Sequence, residues 1–186
     1  MNKLFYGWYV VLGMLLVLLI HGGTGFYIFG IFYAPLNVEF GWDRSTTAAA
    51  ITIYIFMMAL TAPLVGAITD KAGAKKVVSA GAALACLTFF MLSRIDALWQ
   101  FYCCYALLGL ALSACGLIPA NAVISNWFES RRGLAVGLAM AGISLGASFL
   151  TSIGGYILNP VGWRNTYLFL GALTGVMVLP YVLLIV

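Results

Sequence analysis

Long apolar runs alternate with short polar connectors along this chain. Six runs reach or approach the about 20 apolar residues that cross a hydrocarbon core: Tyr6–Ala34, Thr46–Ile68, Val77–Leu92, Leu98–Ile124, Gly133–Leu158 and Thr166–Val186. Backbone groups in lipid must be satisfied within their own segment, so runs of this length predict helices and an all-α integral membrane fold. The third run is short. The first is long enough to tilt or bend, and Gly22–Gly23 offers a place to bend. Asp43, Asp96 and Asn165 stand where each can cap the helix that follows. The last run reaches Val186 with neither cap nor polar tail, so a fragment, or one half of a larger protein, is expected.

Composition sharpens this picture. Hydrophobic residues make up 64% of the chain and charged residues 8%, against about 25% charged in a soluble domain. The net charge of +4 is scattered over connectors and forms no stripe of the kind that phosphate binding needs, so nucleic acid is not an expected partner. Cys86, Cys103, Cys104 and Cys115 lie in apolar runs with no ligand set around them, which reads as small apolar side chains and predicts neither metal nor cofactor. The first run is too long for the core of a signal peptide and no cleavage site follows it.

Connector charges predict the orientation. Lys3, Lys71, Lys75, Lys76, Arg131 and Arg132 fall on the N-terminal side with Asp70 and Glu129; Arg44, Arg94 and Arg164 fall on the other with Glu39, Asp43 and Asp96. The excess of cations puts the N-terminus in the cytoplasm of a cell that carries this multi-pass protein in its cytoplasmic membrane.

One connector gathers charge and glycine together. The stretch GAITDKAGAKK, Gly66 to Lys76, fits the pattern G-x-x-x-D-[RK]-x-G-x-[RK]-[RK] at Gly66, Asp70, Lys71, Gly73, Lys75 and Lys76. This resembles the loop signature of the major facilitator superfamily, and it sits after the second span on the basic side, as in that family. FGWDRSTTAAAITIY (Phe40–Tyr54), NWFESRRGLAVGLAMAGISLG (Asn126–Gly146) and GWYVVLG (Gly7–Gly13) are similar to its monocarboxylate and oxalate/formate branch; GWRNTY (Gly162–Tyr167) resembles the superfamily's approach to helix 6. The resemblance covers the whole chain. It implies the N-terminal six-helix half, a 3+3 inverted repeat, of a twelve-helix secondary transporter whose other half is missing here. It further implies a small organic anion, a mono- or dicarboxylate, moved by alternating access with proton symport or anion exchange.

Three departures limit the carry-over. Tyr105 stands before Gly109 where the superfamily often has arginine. TSIGGY (Thr151–Tyr156) lacks the proline of the proton-linked drug antiporters. A residue near Phe26 replaces the helix 1 lysine of the animal monocarboxylate carriers.

The motif is expected to gate the cytoplasmic side. The second helix should end near Gly66, and Gly73 should ease the reversal. Asp70 can accept backbone N–H groups at the start of the next helix and pair with a cation; by the resemblance it latches onto the other half of the transporter. Lys75, Lys76, Arg131 and Arg132 can serve that gate or meet anionic lipid headgroups.

No Asp, Glu, Lys or Arg lies inside the predicted spans, and His21 is the one readily titratable group there. Ionisable residues in the membrane are functional candidates; the bland alternative is a neutral imidazole bonded to a neighbouring helix. Polar and small residues recur at helical spacing as Thr47, Tyr54 and Thr61; as Tyr102, Tyr105, Gly109, Ser113 and Gly116; and as Ser144, Ser148, Thr151 and Gly155. The candidate substrate cavity is therefore His21, Thr24, Tyr27, Tyr54, Tyr105, Ser113 and Ser144. Gly133/Gly137 and Gly142/Gly146 read as helix packing. One histidine and no membrane carboxylate leave no enzyme constellation. A carrier of drugs or other neutral solutes and a stand-alone six-helix protein stay open beside the anion carrier.

Overall fold

The computed structural model describes residues 6–128 and 131–185, so Lys3, Glu129 and Val186 lie outside it. Eight helices make up nearly all of the described chain: α1 Tyr6–Thr24, α2 Phe29–Phe40, α3 Arg44–Ala72, α4 Ala74–Leu92, α5 Leu98–Ala114, α6 Leu117–Ser125, α7 Arg132–Val161 and α8 Trp163–Ile185. They form six spans long and apolar enough to cross a membrane. Span 1 is α1 with α2 and span 4 is α5 with α6, each a helix broken once in its course; α3, α4, α7 and α8 are spans 2, 3, 5 and 6.

Helix ends follow local chemistry. Asp43 caps α3: its carboxylate accepts the Thr46 N–H and the Ser45 hydroxyl, each at 2.8 Å, and these bonds hold it below the ordinary carboxylate range. Asp96 does not cap α5. The Gln100 side chain takes the Asp96 N–H at 2.9 Å instead, leaving the Asp96 carboxylate for an ion pair. Asn165 lies inside α8, where its amide bonds the Val161 carbonyl at 2.9 Å. Span 2 does not turn at Gly66. It stays helical to Ala72, because a glycine costs only about 1 kcal/mol in a helix, whereas unsatisfied backbone in lipid costs several. The reversal falls on Gly73, whose φ of 86° suits a residue without Cβ.

Packing pairs the spans with a simple symmetry. Among single helix pairs the most extensive contacts are α1 on α7, α3 on α5 and α4 on α8, which pair span 1 with span 5, span 2 with span 4 and span 3 with span 6. Exchanging spans 1, 2 and 3 with 4, 5 and 6 turns the first pair into the second and leaves the third unchanged. The two broken spans, 1 and 4, are partners under the same exchange. This is the arrangement of a 3+3 inverted repeat.

The seam between spans 1 and 5 is a backbone contact. A Cβ on Gly142 falls 2.3 Å from the Leu15 carbonyl oxygen, and one on Gly22 falls 2.5 Å from that of Ile143. Gly22 and Gly23 therefore admit α7 rather than bend α1, and the interruption comes later, over residues 25–28. Gly133 and Gly137 meet nothing within 4 Å and take no part in the seam.

Two further features tie the spans. Phe32 stacks on Tyr167 with ring centroids 4.0 Å apart, and Phe29 meets Tyr105 edge-on at 5.4 Å. At the same end of the bundle Arg164 pairs with Glu39 and, at 3.3 Å, with Asp96, drawing together the connectors beside spans 1, 3 and 6.

Candidate functional site

The two helix breaks meet near the middle of the bundle. In span 4, α5 ends at Ala114 and α6 begins at Leu117. In span 1, the break after Thr24 brings Gly25 against span 2: a Cβ there would lie 2.7 Å from Tyr54 Oη and 3.0 Å from the His21 carbonyl oxygen. The Tyr54 hydroxyl thus occupies the hollow that Gly25 leaves open. The His21 imidazole bridges toward the other break. It lies against the Leu112 backbone, and its Cε1 is 3.5 Å from where a Gly116 Cβ would stand.

Beside these groups is a cavity of about 300 Å3 lined by His21, Gly22, Phe26, Tyr27, Tyr54, Ile55, Met58 and Ile143. His21 Nδ1 is buried and has no hydrogen-bond partner among the described residues, and no bond from Tyr54 Oη to a described residue is present. Buried polar groups are nearly always paired, so the unpartnered His21 Nδ1, with the Tyr54 hydroxyl at the same cavity, marks a place for water or a polar solute.

Of the residues expected in a cavity, the structure gathers His21, Tyr27 and Tyr54. Thr24 is buried and donates to the Ile20 carbonyl at 2.7 Å. Tyr105 belongs to the aromatic core, its hydroxyl 3.1 Å from that of Tyr167. Ser113 reaches across to the Met58 carbonyl at 3.4 Å and joins spans 2 and 4. Ser144 is exposed beside Ile143 on α7. Sequence spacing missed Phe26, Met58 and Ile143, which carry no polar signal.

The charged loop lies at the opposite end from Arg164. Asp70 and Lys71 are exposed in the last turn of α3; Lys75 and Lys76 begin α4, and Arg131 and Arg132 open α7. Asp70 does not cap α4, because the extension of α3 keeps it helical and turned outward. Among the described residues no ion pair reaches it.

Comparison with known proteins fits this architecture. The profile of the Major Facilitator Superfamily matches residues 11–186. The chain belongs to the Major Facilitator Superfamily. It is similar to monocarboxylate transporter 2 of Homo sapiens, 32% identical over 77% of this chain and 30% of that protein. It is similar to the MFS-type transporter pynF of Aspergillus niger, 30% identical over 96% of this chain and 42% of the relative. Monocarboxylate transporter 3 of Rattus norvegicus is 34% identical over 90% of the chain and 34% of its own length. The chain therefore spans between 30% and 42% of the length of these curated relatives. Its six spans are one half of the Major Facilitator fold, in a multi-pass membrane protein, and a family of carriers sets an enzyme aside.

Proposed function

We propose that the protein containing this chain moves a small organic anion, a mono- or dicarboxylate, across the cytoplasmic membrane by alternating access, with proton symport or anion exchange. The N-terminus lies in the cytoplasm in this reading. The observation that carries it is the approach of two broken spans at His21, which lines a cavity with Tyr54 and whose buried Nδ1 has no partner among the described residues. Interrupted helices at matching positions of two repeats mark the solute site in transporters. The relatives named for monocarboxylates support the substrate class.

The relatives' greater length supports a second six-helix bundle as partner. The exposed apolar residues Leu60, Leu64 and Ile68 on α3 and Phe149 and Ile153 on α7 offer it a surface. Asp70, exposed and without a described partner, is the group that latches onto that bundle. Lys71, Lys75, Lys76, Arg131 and Arg132 complete this gate or face anionic lipid. Thr24, Tyr105, Ser113 and Ser144 stay in the proposal as groups that a changed helix arrangement could turn to the solute.

One observation favours a second reading: no Asp, Glu, Lys or Arg lines the cavity, which suits a drug or other neutral solute. Uptake by proteoliposomes carrying the product of the complete gene decides between them. Labelled lactate, pyruvate and oxalate should enter faster than into empty vesicles and respond to an imposed pH gradient or trapped counter-anion. Uptake confined to neutral solutes overturns the anion reading.

A further inference from the structure

The bundle end that carries Arg164 holds three arginines in different states. Arg164 is committed to Glu39 and Asp96. Arg94 lies over the Phe90 ring, 5.6 Å from its centroid. Arg44 is exposed and, among the described residues, has neither carboxylate nor ring partner. Its neighbour Asp43 does not neutralise it by contact, because that carboxylate is occupied by Thr46 and Ser45.

Arg44 lines a pocket of about 260 Å3 with Phe29, Gly30, Tyr33 and Ala48. Helices α2 and α3 touch only sparsely here, and a Cβ on Gly30 would meet nothing within 4 Å. Gly22, Phe26 and Gly30 follow one another in steps of four along span 1, and the first two line the His21 cavity. On α3, Ala48 and Ile55 belong to the two pockets in turn, separated by about 10 Å of helix. The Arg44 pocket therefore lies along the same cleft between spans 1 and 2, nearer its mouth.

We infer that Arg44 and Tyr33 form a carboxylate subsite at the mouth of this cleft, where a small organic anion is held before it reaches His21 and Tyr54. The substrate class rests on the function proposed above; the charge of the site does not. A guanidinium offers a forked pair of donors matched to a carboxylate, and a phenol beside it adds a further donor. A cation at the mouth of a low-dielectric cleft also concentrates anions there. The inner cavity, which lacks a fixed cation, is then supplied from a place that has one.

The test places a thiol at Gly30, where there is room for it, in the full-length protein with Cys103, which is exposed, replaced by serine. Gly30→Cys is reacted with anionic and cationic methanethiosulfonates of similar size. The anionic reagent should react faster, and adding Arg44→Gln should lower the anion-to-cation rate ratio by about tenfold at low salt. Arg44→Lys should largely restore the ratio, which separates charge from folding. Millimolar lactate or oxalate should protect the thiol, and protection should vanish with Arg44→Gln. A ratio unchanged by Arg44→Gln overturns the subsite, and so does a thiol that neither carboxylate protects. If the unsubstituted protein imports no carboxylate, the transport reading falls, while the reagent ratio still decides whether Arg44 sets the charge of the cleft.

Discussion

Arg164 and Glu39 are 125 positions apart in the chain and joined by an ion pair. The Trp163 indole N–H adds a 2.5 Å bond to the same carboxylate, and Arg164 also reaches the Ile95 carbonyl at 3.3 Å. This clasp fastens the start of span 6 to the end of span 1 and to the turn after span 3. Its members are partly exposed, with 40% of the Arg164 side chain and 38% of that of Glu39 accessible. Its strength is therefore near that of a surface pair, about 0–1 kcal/mol. Arg164→Gln should lower the melting temperature in detergent by about 2–4 °C at most. Added salt should lower the melting temperature of the parent more than that of the variant. Equal salt responses would show that the clasp contributes nothing.

A second expectation concerns the seam of spans 1 and 5. A Cβ on Gly146 falls 1.8 Å from the Leu19 carbonyl oxygen, so Gly146→Ala must push two helices apart and should cost about 1–3 kcal/mol. Gly137, on the same helix with open space around it, should accept alanine with no loss and gain up to about 1 kcal/mol of helix propensity. Thermal unfolding of the two variants side by side checks this. Equal stabilities would mean that the seam is looser than described.

The unpaired Tyr54 hydroxyl gives a third. Tyr54→Phe keeps the ring in its packed place and removes only the oxygen. If that oxygen bonds the solute, KM should rise about threefold to tenfold, the worth of one hydrogen bond, while melting temperature holds. An unchanged KM would return Tyr54 to a structural role.

Asp70 should behave in the opposite sense to a stabilising residue. It is exposed and without an ion-pair partner among the described residues, so Asp70→Asn should leave the stability of the six-span bundle unaltered. In the full-length protein it should slow transport with expression intact. Unchanged flux would remove the latch.

How much was legible beforehand depended on the range of the interaction. Span existence is a local property of about 20 apolar residues in lipid, and the family showed in the contiguous motif Gly66–Lys76. Helix ends were less legible. Gly66 looked like a turn, yet lipid's demand for satisfied backbone carried the helix on to Ala72. His21 and Tyr54 stood out as polar groups in apolar runs and were found together. Tyr105 stood out in the same way, but its partner Tyr167 lies 62 residues away, and no spacing rule reaches that far.

The sequence by itself determined that the chain consists of membrane-spanning helices, their number, and the superfamily they belong to. The physical reason is that hydropathy and a short loop motif are written in neighbouring residues. Only the tertiary structure decided which spans touch, that the breaks in spans 1 and 4 approach each other at His21 beside a cavity, and that Arg164 is neutralised while Arg44 is left facing a cleft. Those outcomes depend on which helix faces approach one another, and that follows from the packing of all six spans together.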